Sequence, residues 1–334
     1  MFAKCLTRRQ FINYGKLSFL FLLNSCSNVS KKIKISFQSS FYPESFKDSL
    51  PSGWKKENIN FGDFQLEKNK TKLLNSDFTL INDGWINSIN FEEFQDINDL
   101  FLFNKLDGRS KDFLNIFEEN QRNKLLPIGI VPYAVIIKNN KDLITYAEKS
   151  WDFLLSSKLT GKVIFPRSPR IIMSIARKIS GNNSLLKLKG QAMLFEDKNS
   201  LNWLINSDAC VAILPYSLCF KYFKIDSRLS MVFPKTGVPL MWHFLLSKTK
   251  KNNGLLIEWV KSLESKKIID KLVTQGWYLP IKNKYLQEKY YMKKHEVDIS
   301  GPSKICWENS WSFSPLDDQE KLNLENLWNK SSSP

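Results

Sequence analysis

The hydrophobic pattern in the middle of the chain switches between the periods of strands and helices. Tyr133–Ile137 is a short apolar run rich in β-branched residues, which predicts a buried strand, and Lys162–Phe165 predicts a second one. Between them, Ser150–Leu155 predicts a helical turn. Ser168 followed by Pro169 predicts the start of a helix, because serine caps helices and proline suits their first turn. This β-α-β-α order is the unit of a mostly parallel sheet covered by helices, so it predicts an α/β fold.

Similar patterns along the rest of the chain predict further strands and helices. Short apolar or β-branched runs indicate strands, and apolar residues spaced by three and four indicate amphipathic helices. The predicted strands are Ile33–Phe37, Asn58–Phe61, Phe78–Ile81, Ala209–Leu214 and Leu240–Leu246, and the predicted helices are Asp112–Glu119 behind a Ser110 cap, Leu201–Ile205, Leu255–Gln275 and Leu316–Trp328.

Composition indicates a folded globular protein and argues against several functions. A chain of 334 residues with 43% hydrophobic content is long enough for two lobes with substantial cores. The net charge is +16, but the lysines are spread along the chain without one dense basic block, which favours a solvated surface over nucleic-acid binding. No G-x-S-x-G, H-E-x-x-H or phosphate-cradling glycine-rich motif occurs in the sequence, so we predict neither an enzyme nor a cofactor.

The cysteines and histidines give no metal-binding pattern. There are five cysteines and two histidines, and no C-x-x-C pair, so we do not expect a structural metal site. Cys210 and Cys219 are able to pair in an oxidising compartment, but the sequence leaves their pairing open.

The N-terminal residues have the features of an export signal. Residues 7–12 contain Arg8 and Arg9 and resemble the twin-arginine export motif. The apolar segment Leu17–Leu23 is far shorter than the ~20 residues that span a bilayer, so it indicates a signal and not an anchor helix. Leu23–Cys26 resembles a lipobox, which implies that Cys26 is lipidated and becomes the first residue of the mature chain; residues 1–26 then form the signal and lipobox, and residues 27–32 a tether. The alternative is an ordinary basic N-terminus.

The central stretch also resembles a known family. Pro127–Ile137, the Ser-Trp-Asp-x-Leu at Ser150–Leu154 and the Leu-Thr-Gly-Lys-Val at Leu159–Val163 resemble the bacterial spermidine/putrescine-type solute-binding proteins. Ser230–Gly237 and Gly276–Pro280 extend the resemblance over about residues 32–290. It implies a two-lobed type 2 periplasmic-binding-protein fold, with mixed sheets flanked by helices and a hinge of two crossing strands. Lobe one is expected to hold residues 32–132 and 245–330, and lobe two residues 133–244.

The resemblance also implies ligand contacts in the loops that follow the strands, where open α/β sheets bind their ligands. The family has an acidic ligand residue near the position of His243, with a tryptophan close by. The alternatives are packing of the first helix for Phe41 and Tyr42, and a structural role for His243. The implied ligand residues are Phe41, Tyr42, Asp83, Trp85, Tyr216, Ser217, Trp242 and His243.

One group of residues departs from the family's pattern. Where polyamine binders are expected to carry acidic residues, this chain has Arg167 and Arg170 around Ser168 at a predicted helix start. A helix N-terminus flanked by arginines favours an anion, because the helix dipole, the free N–H groups and the guanidinium charges have the same sign. The alternative is that both arginines point into solvent.

Together these features predict the solute-binding component of an ABC importer, located outside the cytoplasmic membrane and lipid-anchored through Cys26. Its expected partners are a membrane permease, the twin-arginine export machinery and a small ligand that stabilises lobe closure; we expect a monomer. The family implies a polyamine, the arginines a small anion or carboxylate, and a ferric ion with a bound anion is a third ligand class. The alternative to transport is a surface scaffold or sensor that binds a partner protein.

Overall fold

The strands of this chain join into one mixed sheet. The computed structural model describes residues 32–59, 75–97, 100–223, 225–248, 253–282 and 301–331. The predicted export residues Arg8 and Arg9 and the predicted lipidation site Cys26 lie outside these ranges. The strands are β1 (Lys34–Phe37), β2 (Lys55–Asn58), β3 (Phe78–Asn82), β4 (Leu126–Lys138), β5 (Val163–Phe165), β6 (Ala192–Phe195), β7 (Val211–Pro215), β8 (Leu229–Val232) and β9 (Leu240–Ser247).

β4 lies at the centre of this sheet and changes its partners half-way along. Residues Leu126–Pro132 pair with β9, whereas Tyr133–Ile137 pair with β7, both antiparallel. In the described ranges the sheet order is β2-β1-β3-β9-β4-β7-β5-β6, and β8 pairs with the second part of β4. We call β1, β2, β3 and β9 the first sheet half, and β5, β6, β7 and β8 the second sheet half. The two halves share β4 and therefore form one continuous sheet.

β4 begins seven residues before the predicted strand. The sequence did not predict this part, because Pro127, Gly129 and Pro132 are typical of turns. Twelve of the thirteen residues of β4 are buried, so burial on both faces outweighs the weak strand preference of these three. Gly129 is required by packing: a Cβ on it would lie 2.1 Å from Cζ2 of Trp277, whose indole covers the strand.

Helices flank the sheet in the part of the chain that the structure describes. Ser168 and Pro169 start a helix as the sequence predicts. The predicted helix Leu255–Gln275 is instead two helices, because Ser265 has an extended backbone and its carbonyl accepts the Ile269 N–H at 2.9 Å to start the second. The helices are α1 (Glu44–Ser49), α2 (Leu100–Asn104), α3 (Gly108–Leu114), α4 (Glu119–Arg122), α5 (Lys141–Ala147), α6 (Pro169–Ala176), α7 (Ser184–Gln191), α8 (Ser200–Asn206), α9 (Tyr216–Phe223), α10 (Asn253–Leu263), α11 (Lys266–Thr274), α12 (Lys304–Asn309) and α13 (Asp318–Lys330).

One smaller expectation, the cap of α3, is corrected, while the lobe boundaries are not tested. Asp107, not Ser110, caps α3: its carboxylate accepts the Ser110 N–H at 2.7 Å. The last helix, α13, packs against the second sheet half's helices, since Lys189 lies 4.1 Å from the Trp328 ring, although the sequence assigned residues 245–330 to lobe one. The residues from Lys34 onward form one compact unit, so the lobe boundaries stay a prediction.

Cys210, Cys219 and Cys306 are free thiols. None of the helices in the described ranges is long and apolar enough to cross a membrane.

Candidate ligand-binding site

His243 and Tyr42 lie in an aromatic core and not on an open surface. His243 has no exposed area, and its ring centroid lies 4.9 Å from that of Tyr42 and 4.4 Å from that of Trp277. Neither ring nitrogen has a hydrogen-bond partner among the described residues, and burial lowers the pKa of His243 to about 3. Tyr42 is also buried, and burial raises the pKa of its hydroxyl. The structure therefore places both predicted ligand residues in packing roles, which is the alternative given for them above.

Trp242 packs apart from His243, because successive residues of a strand point to opposite faces. Its ring stacks on Phe113 with the centroids 4.5 Å apart. Its indole Nε1 donates a hydrogen bond to Oγ of Ser312 at 2.7 Å. Trp242 thus connects the start of β9 to residues near the C-terminus.

Tyr216 and Ser217 begin α9 and do not form the predicted loop. Tyr216 is fully buried, and its ring lies so close to Gly276 that a Cβ there would be 2.5 Å from Cγ of Tyr216. Its hydroxyl donates to the Thr274 carbonyl at 3.4 Å. Tyr216 therefore fixes the turn after α11. Ser217 Oγ is buried without a hydrogen-bond partner among the described residues.

Asp83 lies at the carboxyl end of β3, in the 3₁₀ turn Asp83–Ser88. The side chain of Asn82 accepts the Gly84 N–H at 3.1 Å and so fixes the start of this turn. Asp83 is half-buried, and burial raises its pKa to about 7; the charge of Arg170 and the backbone amide of Trp242 act in the opposite direction. Trp85, in the same turn, and Phe41, after β1, are half-buried, and their ligand roles stay predictions.

A second carboxylate, Asp197, was missed by the sequence reasoning. It follows β6, and its Oδ1 accepts the backbone N–H of Arg167 at 3.1 Å. Burial raises its pKa. The available signal was an acidic residue at the carboxyl end of a strand, but β6 itself had not been predicted.

Asp83 and Asp197 act on the same tyrosine. Tyr133 is buried on β4 at the point where the strand changes partners, and its pKa is raised by burial and then by the charges of Asp197 and Asp83. One carboxylate comes from the first sheet half and the other from the second. We call Asp83, Asp197 and Tyr133 the carboxylate cluster.

The two arginines at the start of α6 differ in their surroundings. Arg167 is exposed, and Ser168 caps the helix by its backbone conformation without a side-chain hydrogen bond. Arg170 is half-buried: its guanidinium donates to the Ser314 carbonyl and lies 4.9 Å from the centroid of the Phe313 ring. Arg170 also interacts electrostatically with Asp83, so it joins the carboxylate cluster to the C-terminal residues.

The segment Ser310–Leu316, which we call the strap, contacts both sheet halves. At its start, the Leu240 N–H donates to the Trp311 carbonyl at 2.8 Å, which extends the pairing of β9. Its other contacts with the first sheet half and its helices come from Arg109, Trp242 and Asn87. It also contacts Arg170, which lies in α6, and Lys178, which lies two residues after the end of that helix. The strap thus contacts both the turn that contains Asp83 and the helix that contains Arg170.

Comparison with solved structures gives the fold. PotD, the spermidine/putrescine substrate-binding protein of Streptococcus pneumoniae, matches with a TM-score of 0.61 and 10% identity, covering 90% of this chain and 97% of that one. The TpPotD lipoprotein of Treponema pallidum matches at 0.60 with 11% identity, covering 90% and 98%. The ferric binding protein of Campylobacter jejuni matches at 0.56 with 11% identity, covering 90% and 99%. This chain has the periplasmic-binding-protein fold.

The expected α/β fold is thereby confirmed, with β4 and β9 as its two central antiparallel strands. No family model and no curated protein sequence matches the chain. Proteins of this fold in the comparison are named as binders of polyamines, thiamin or iron, so the likeness alone selects no ligand.

Proposed function

We propose that this protein is the solute-binding component of an ABC importer and that it binds a ligand with ammonium groups between its two sheet halves. The periplasmic-binding-protein fold supports the transport part of this proposal. The ligand part is supported by the carboxylate cluster, because Asp83 follows β3 in the first sheet half, Asp197 follows β6 in the second, and the charges of both raise the pKa of Tyr133.

The cluster suits a cation for electrostatic reasons. Burial raises the pKa values of these two half-buried carboxylates, so a ligand that brings positive charge between them is stabilised. The Tyr133 ring offers an aromatic surface for an alkylammonium group. Because the two aspartates belong to different sheet halves, a dication that contacts both favours the closed arrangement of the halves.

A small anion or carboxylate is the second candidate, and Arg170 favours it. The arginine lies in the first turn of α6, where the helix dipole and the free N–H groups also favour negative charge. Its guanidinium is already engaged by the Ser314 carbonyl and the Phe313 ring, and Arg167 is exposed. We therefore rank the cation first.

Calorimetric titration of the purified full-length chain with spermidine, putrescine, citrate and ferric citrate tests this order. We expect the polyamines to bind, and Asp83→Asn and Asp197→Asn each to weaken binding by about tenfold or more. Asp208→Asn is the matched control, since Asp208 is exposed and outside the cluster. Binding of citrate alone, abolished by Arg170→Gln, would establish the anion instead. If none of these compounds binds, the result favours the alternative function of a surface scaffold or sensor.

We further propose that the chain is exported through the twin-arginine pathway and anchored by a lipid on Cys26. Residues Arg8, Arg9 and Cys26 in their sequence context support this proposal. Cell fractionation of the wild type, Arg8→Lys/Arg9→Lys and Cys26→Ser variants tests it. We expect the double lysine variant to stay inside the cell and Cys26→Ser to be exported but released from the membrane. Membrane association of Cys26→Ser would contradict the lipid anchor.

A further inference from the structure

The strap engages an arginine that has a stronger electrostatic partner nearby. Arg170 and Asp83 interact through their charges, yet the two side chains form no ion-pair contact among the described residues. Instead, the Arg170 guanidinium donates to a neutral carbonyl, that of Ser314, and lies against the Phe313 ring. A guanidinium normally prefers a carboxylate, which it binds with two parallel hydrogen bonds. The guanidinium thus contacts a carbonyl and a ring of the strap, while the charges of Asp83 and Glu320 act on it without an ion-pair contact among the described residues.

The strap has the anchors needed to hold this position. At the start of the strap, Trp311 and Leu240 are joined by a backbone hydrogen bond of 2.8 Å, and Trp242 donates to Ser312 at 2.7 Å. At the end of the strap, the Asn87 amide donates to the Leu316 carbonyl. Phe313 and Ser314 lie between these anchors, so their positions beside Arg170 are fixed by contacts that do not involve Arg170.

This inference rests on the proposed function. We propose that Phe313 and the Ser314 carbonyl are specificity determinants. They hold Arg170 away from Asp83 and so keep the carboxylate cluster available to a cationic ligand. Without these contacts, the charge of Asp83, which has the largest charge effect on Arg170, draws the guanidinium into an internal ion pair. The ligand's ammonium group then competes with a tethered guanidinium for the same carboxylate. The strap thus sets the sign of the charge that the site accepts.

A double-mutant cycle between Phe313 and Arg170 tests the proposal with spermidine as the probe, titrated calorimetrically into the full-length chain. Phe313→Ala should weaken spermidine binding by about tenfold or more, because the released arginine neutralises Asp83. In the Arg170→Gln background the same substitution should have no effect. Equal weakening in both backgrounds, or none in either, would overturn the proposal.

The chain offers a matched control on the same segment. Lys178 lies 5.1 Å from the Trp311 ring, so Lys178→Gln removes a strap contact of the same cation–π type and leaves Arg170 in place. It should bind spermidine like the wild type. If it weakens binding as much as Phe313→Ala does, the strap acts through general attachment and the proposal is wrong. Phe313→Leu, which keeps apolar bulk without the ring, serves if Phe313→Ala does not fold.

A second readout separates this proposal from the ligand assignment. The pKa of the Asp83 carboxyl, followed by carbon-13 NMR without any ligand, should fall in Phe313→Ala because a cation has moved next to it. If the wild type does not bind spermidine but this pKa falls, the strap mechanism stands and the proposed ligand is wrong. If the Asp83 pKa is unchanged and spermidine binding is intact, the strap mechanism is wrong and the proposed ligand stands.

Discussion

The imidazole of His243 and the indole of Trp277 lie with their ring centroids 4.4 Å apart in a site that excludes water. Burial lowers the pKa of His243 from its ordinary 6.5 to about 3, so the folded protein holds the ring neutral at every physiological pH. In the unfolded chain the same ring takes up a proton near pH 6.5. Stability is therefore linked to the protonation of this residue.

The sign of this linkage gives a first prediction. The pKa is lower in the folded state, so the contribution of His243 is fully present above pH 6.5 and is lost as the pH falls towards 3. The expected loss approaches about 1.4 kcal/mol per pH unit in the free energy of unfolding. We expect urea unfolding between pH 7 and pH 4.5 to show this slope in the wild type and a flatter one in His243→Leu.

The difference between the two proteins is the informative quantity, because Asp83 acts in the opposite direction. Its pKa is raised in the folded state to about 7, so its contribution is present below its ordinary pKa and is lost as the pH rises through 7. Both proteins contain Asp83, so this effect cancels in the comparison. Identical pH slopes in wild type and His243→Leu would show that His243 is charged or solvated in the fold.

Two glycines with the same backbone conformation give a second prediction. Gly237 has φ 91° and Gly181 has φ 90°, so alanine costs about 1 kcal/mol of backbone strain at either position. At Gly237, however, a Cβ would lie 2.1 Å from the backbone oxygen of Asn309, next to the strap, whereas nothing lies within 4 Å at Gly181. We expect Gly237→Ala to lower the free energy of unfolding by at least about 2 kcal/mol more than Gly181→Ala.

Chemical denaturation of these two variants measures how firmly the strap is held. Equal destabilisation would mean that residue 309 moves away without cost, and that the strap is not fixed at this end.

The attachment of α13 gives a third prediction. The Lys189 ammonium lies 4.1 Å from the Trp328 ring centroid and donates to the Trp328 carbonyl at 2.9 Å. Trp328→Ala removes the ring contacts with Lys189 and Phe195, each worth on the order of 1 kcal/mol or less. Amide hydrogen exchange in α13 should become about three- to tenfold faster. Leu322→Ala, at an exposed position of the same helix, should leave the exchange rate unchanged.

A fourth prediction concerns the pH dependence of ligand binding and rests on the proposed function. Only the ionised form of Asp83 attracts an ammonium group, and its pKa is about 7 without ligand. Spermidine should therefore bind more tightly as the pH rises from 6 to 8, by up to about tenfold per pH unit below 7. Asp83→Asn should remove most of this dependence. A flat calorimetric profile in the wild type would exclude Asp83 from the binding step.

Local sequence patterns predicted which helices and strands are present better than they predicted the residues at which these begin and end. The start of α6 was predictable because Ser168 and Pro169 act on adjacent backbone groups alone. The full length of β4 was not, because its first residues are held in a strand by burial on both faces and by the indole of Trp277, which is distant in sequence.

The candidate site shows the same limit in chemical terms. Asp83 was found from its position after a strand, and that position is local. His243 and Tyr216 are buried, and the sequence could not predict this because a strand or helix buried on all sides gives no signal for which side chains meet a ligand. Asp197 was missed because β6 is a short strand whose register is set by β5, not by its own pattern.

The strap follows every other part of the candidate site in the sequence. Asp83, Tyr133, Asp197 and Arg170 all precede it, yet Arg170 takes its hydrogen bond from Ser314 and its ring contact from Phe313. The proposed binding site is therefore completed by contacts between residues more than one hundred positions apart in sequence, which are slow to form because a long loop must close first. A chain without the strap would contain every proposed ligand-binding group but none of the contacts that hold Arg170.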